Sequence, residues 1–63
     1  MTPEQIAAIL LRRDRAMTEI GQLEAMIAAG NLTTDQARID EAIERAKAGV
    51  DGWADCVILL TPP

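Results

Sequence analysis

The chain has 63 residues, a net charge of −4, an isoelectric point near 4.5, one cysteine and no histidine. These exclude an intrachain disulfide, remove the usual ligands of a structural zinc site, and weigh against nucleic acid as a partner. Chains this short bury only ~60% of their unfolded surface, so without disulfide or metal the remaining support is oligomerisation.

Thr2-Pro3-Glu4-Gln5 reads as a helix start. Thr2 is a good N-cap, Pro3 falls at the first helical position where its missing N–H is harmless, and Gln5 completes a capping box. Glu4 suits the positive end of the helix dipole. Ile6, Ile9, Leu10, Ala16, Met17, Ile20, Leu23 and Ile27 then follow helical spacing, which predicts one helix over about 3–29. Gly30 can adopt the left-handed conformation that ends it. The turn is expected at 30–33.

A second start follows. Thr33 is the expected cap, Gln36 the closing partner of a second box, and Leu32 a staple onto Ala37. Ile39, Ile43, Ala46, Val50, Trp53, Val57 and Leu60 step by four and three, a heptad seam that predicts a helix over about 34–60, stopped by Pro62-Pro63. Gly49 and Gly52 interrupt it, each at ~1 kcal/mol relative to Ala. A kink or a break at 49–52 is therefore open. The continuous or kinked helix is preferred because the seam keeps its phase through both glycines.

The fold class expected is all-α: an antiparallel two-helix hairpin forming one helical domain. It closes into a four-helix bundle or higher homo-oligomer. Each helix would be ~40 Å long. Folding about Gly30–Thr33 sets Leu23 against Ile39, Ile20 against Ile43 and Ile9 against Trp53. Arg13 then falls at a core position of the heptad opposite Val50, where it is expected first as a partly exposed side chain packing its stem beside Val50, with Asp51 as its obvious acidic partner. The open end of such a hairpin is apolar nearly all round. Ile6, Ile9, Leu10, Leu11, Trp53, Val57, Ile58 and Leu60 are the expected interface, with Trp53 as its anchor. Leu11, Met26, Ile58 and Leu59 lie off the main seam and extend that patch. Met17 is read as core packing.

No motif carries catalysis. Cys56 has no histidine to activate it and sits among apolar neighbours, so it reads as a buried, inert thiol. Glu41 and Glu44 read as solvated charge, and Glu41 with Arg45 as an i,i+4 pair. No cofactor or metal is expected. Arg12, Arg13 and Arg15 form the one basic cluster, a candidate anion-binding group because guanidinium forks match phosphate oxygens. The charge is uneven, −1 over residues 1–29 and −3 over residues 30–63. No basic leader precedes the first helix and no apolar run approaches the ~20 residues of a spanning helix, so a cytoplasmic protein with no membrane partner is expected. The expected function is non-enzymatic: a small interaction or regulatory protein, such as a compact inhibitor. It would bind another macromolecule, a protein, as a homo-oligomer. The alternatives are an oligomeric sponge for an anionic small molecule such as a nucleotide, held by Arg12, Arg13 and Arg15, and a purely structural assembly subunit.

Overall fold

The computed structural model describes residues 1–14 and 16–62, with Val50 described in its backbone alone. Among them there are four α-helices and no strand: α1 (Pro3–Leu10), α2 (Met17–Ala29), α3 (Gln36–Lys47) and α4 (Val50–Leu60). The chain is all-helical, as its composition and periodicity require. The two long helices do not form. Each is divided, and the Cα trace measures only 25 × 22 × 21 Å, too short for a 27-residue helix at ~1.5 Å per residue.

The physical reason is burial. Two straight helices share one long seam and leave most of their surface wet. Folding α4 back on α3, with α1 and α2 laid on that pair, brings Ile9, Leu23, Ile39, Ala42, Ala46, Trp53, Cys56, Val57 and Leu60 into one core, each no more than 6% exposed. Burial on that scale outweighs the small local preference for continuing a helix.

The hairpin in this fold is α3 with α4, and its turn is Ala48–Gly49 rather than Gly30–Thr33. Gly49 has φ 120° and ψ −167°, a region open in practice to glycine alone. Three residues on, Gly52 is buried, and a Cβ there would collide with the Arg45 carbonyl oxygen. The glycine pair is thus a turn followed by a close approach of two helices. Around this hairpin α1 lies on α3 and α2 lies on α4. The neighbours in sequence, α2 and α3, do not pack on each other among the described residues. The expected facing of residues across Gly30 is therefore replaced.

The helix ends account for their own backbone groups. At α1 the capping box forms: the Thr2 amide donates to Gln5 Oε1 at 2.9 Å and the Gln5 amide to Thr2 Oγ1 at 3.2 Å. At the end of α2, Gly30 (φ 72°) donates to the Ile27 carbonyl and Asn31 to that of Met26, a Schellman closure. At α3 the cap is Asp35, whose carboxylate accepts from the Ala37 amide at 3.0 Å. The expected cap, Thr33, is used elsewhere. Its amide donates to the Leu60 carbonyl at 2.9 Å and its hydroxyl accepts from the Asp35 amide at 3.2 Å. Gln36 turns forward, donating to Asp40 Oδ1 at 2.9 Å.

The end of α4 gathers donors from three places. Arg38 Nη2 donates to the carbonyls of Ile58 (3.3 Å) and Thr61 (3.1 Å), the Thr61 hydroxyl donates to Val57 (2.8 Å), and Thr33 reaches Leu60. A guanidinium there also meets the negative end of the helix dipole. These bonds lock the start of α3 beside the end of α4.

Candidate functional site

The eight residues expected at the interface separate into three groups. Ile9, Trp53 and Leu60 are 0% exposed and Val57 6%. They are buried in the chain's own core, which corrects their assignment to an intermolecular surface. Trp53 in particular is the largest fully buried side chain. A tryptophan is large enough to organise a small interior, and folding α4 back along α3 supplies that interior without a partner. Ile6 and Leu10 are half-buried, Leu10 packing against the core. Leu11 and Ile58 remain outside, 82% and 63% exposed.

Leu11 opens the link between α1 and α2. Its amide still donates to the Ala7 carbonyl at 2.9 Å, and the Arg12 amide to Ile9 at 3.2 Å, so the helix closes there and the chain turns. Ala7, Leu10, Leu11, Arg12, Arg13 and Asp14 line an open depression of about 700 Å³. Beyond the link, Met17 starts α2 and is 84% exposed, which corrects its assignment to the core. Ala16, at its N-cap, carries only a methyl group and makes no side-chain cap hydrogen bond. Large apolar side chains are thus exposed on either side of the link, Leu11 at its start and Met17 after it, with Arg12 and Arg13 exposed next to Leu11.

Arg13 does not occupy a core position. It is 59% exposed and its Nη2 lies 3.6 Å from Glu24 Oε1 on α2, in place of the expected Asp51. The pair is solvated, worth well under ~1 kcal/mol, and its role is to tether the link to α2. Arg12 is exposed beside it. Arg15, the third member of the basic cluster, lies outside the described residues. A solvated pair of arginines with Asp14 adjoining can attract an anion but does not enclose one.

A second surface lies on the outer side of the α3–α4 hairpin. Glu41, Arg45, Asp55, Ile58 and Leu59 line a groove of about 190 Å³. Arg45 donates to Glu41 Oε1 from Nη2 at 2.8 Å and from Nε at 3.1 Å, the i,i+4 pair expected from the sequence. It also lies 3.9 Å from Asp55 on α4. One guanidinium between two carboxylates leaves this surface net acidic, with exposed Asp51 one turn before Asp55.

The interior holds two polar atoms of interest. Cys56 is a free thiol with no exposure, and burial pushes its pKa up from 9.0 to about 11. At neutral pH it is protonated and out of reach of solvent, as its apolar neighbours suggest. The Trp53 indole Nε1–H is buried and finds no acceptor among the described residues, an arrangement that typically costs ~1–3 kcal/mol. Among the described residues no group of His, Cys, Asp and Glu could hold a metal ion, and no helix is long and apolar enough to cross a membrane.

The surface residue missed in the sequence is Met17, whose regular spacing concealed that the helix restarts there. Leu11 and Ile58 were legible because both fall off the seams. No protein family, curated protein or solved structure matches this chain.

Proposed function

We propose that the chain is a small, non-enzymatic interaction or regulatory protein that binds another protein and works as a homo-oligomer. The observation that carries this reading is the pair Leu11 and Met17, each more than four-fifths exposed. Large exposed apolar side chains gathered beside polar groups are a common mark of contact surfaces. The link between α1 and α2 is the contact surface, and Leu11 replaces Trp53 as its anchor.

Capture from the native host tests it, with the wild-type chain and Leu11→Asp run side by side at low and high salt. A partner retained by the wild type and lost from Leu11→Asp supports the reading. Equal capture by both proteins removes the link from the contact.

Arg12 and Arg13, lining the same depression, favour a second reading: an anionic small molecule held at the link. Calorimetric titration of inorganic phosphate and of nucleotides into wild type and Arg13→Ala decides it. Heat that appears in the wild type and is lost in the variant supports anion binding, and no heat in either rejects it.

A further inference from the structure

We infer that the basic link between α1 and α2 of one copy docks onto the acidic outer groove of the α3–α4 hairpin of a second copy, head to tail. This rests on the homo-oligomer part of the reading above and names the two surfaces involved.

The first surface carries Leu11, 82% exposed, with Arg12, Arg13 and Asp14 around it. The second carries Ile58, 63% exposed, with Glu41, Asp55 and Arg45 around it. Each has one large exposed aliphatic residue. Their charge sets are inverted: two cations and an anion face two anions and a cation. Like pairing on like fails on charge. Leu11 against Leu11 would bring two Arg12–Arg13 pairs together, and Ile58 against Ile58 would bring two Glu41–Asp55 pairs together. Opposite pairing alternates the sign across the contact, which favours encounter and selects orientation.

The ion pairs already present do not forbid this. The Arg13–Glu24 pair is 3.6 Å apart with its side chains 59% and 48% exposed, and the Arg45–Asp55 pair is 3.9 Å apart at 49% and 57%. Such loose, solvated pairs exchange partners readily. The like-charged Asp51 and Asp55, one turn apart on α4, gain from a cation brought against them.

Area is sufficient. A standard interface takes ~800 Å² from each partner, roughly a fifth of this chain's 3872 Å². The two surfaces share no lining residue, so one copy can use both at once. A heterologous contact of this kind closes into a ring or continues as a filament.

Sedimentation velocity at high micromolar concentration and low salt tests the assignment, using wild type, Leu11→Asp, Ile58→Asp and an equimolar mixture of the two variants. Both substitutions fall on exposed side chains, and circular dichroism checks that each variant stays helical. The wild type is expected to sediment above the monomer, increasingly so with concentration, and to dissociate with added salt. Each variant alone should associate about tenfold more weakly or not at all. The mixture should restore a dimer, because one variant keeps an intact link and the other an intact groove. A monomeric wild type overturns the inference, as does a mixture that stays monomeric; a single variant that associates as strongly alone as the wild type overturns it too, because that would mean self-pairing of its untouched surface. A monomeric wild type that still captures a host protein through Leu11 overturns this inference and the homo-oligomer part of the reading, and leaves the protein-binding part standing.

Discussion

At Gly52 the two helices of the C-terminal hairpin approach so closely that a methyl group would run into the Arg45 carbonyl. Alanine there gains ~1 kcal/mol of helix propensity but must push α4 off α3. Gly52→Ala should therefore destabilise by ~1–3 kcal/mol, read as a lower urea midpoint. The opposite shift would mean that the hairpin is looser than described. Cys56 makes a second prediction. The folded chain keeps the thiol proton up to about pH 11, whereas the unfolded chain releases it near 9.0. Its contribution is whole below pH 9 and is lost as pH rises through the window from 9.0 to about 11. Urea midpoints should fall across that window in the wild type more than in Cys56→Ala, and parallel curves would contradict it. At this scale the sequence was informative about identity and silent about address. A cysteine among apolar neighbours reads as buried, and so it is. Trp53 reads as buried too, but nothing local says whether its cover comes from its own chain or from another.

Helix ends divide by the range of their bonds. The Thr2–Gln5 box and the Gly30 closure use partners within a few residues, and both were legible. The start of α3 was not, because Thr33 is drawn to the Leu60 carbonyl, distant in sequence, and leaves the cap to Asp35. The break after α1 was equally hidden. No glycine or proline lies between Pro3 and Gly21, and the helix ends where α1 and α2 part to pack on α3 and α4. The end of α4 rests on Arg38. Arg38→Met keeps the aliphatic stem but removes both donors to Ile58 and Thr61. It should cost ~1 kcal/mol and speed amide hydrogen exchange in the last turn of α4 relative to its middle. Unchanged exchange there would show that Thr33 and Thr61 suffice.

Across the whole molecule the helices are unequally committed. α3 and α4 contribute seven of the nine core residues; α1 contributes Ile9 and α2 Leu23. Hydrogen exchange should therefore be slowest in α3 and α4 and fastest in α1, with α2 between. Uniform protection would mean that all four helices open together. Helical character and the apolar surplus were readable from composition and spacing. The arrangement was not, because a heptad seam states which residues turn inward and leaves open how many times the helix bends to let them meet.

One consequence concerns the order in which the chain is made. During synthesis α1 and α2 emerge first, but each rests on a helix that comes later: α1 on α3 and α2 on α4. Ile9 and Leu23 therefore stay solvated until the second half is complete. The local pairing of α3 with α4 about Ala48–Gly49 has the shorter loop to close. The later pair of helices is thus expected to find its place first, with the earlier two settling onto it afterwards.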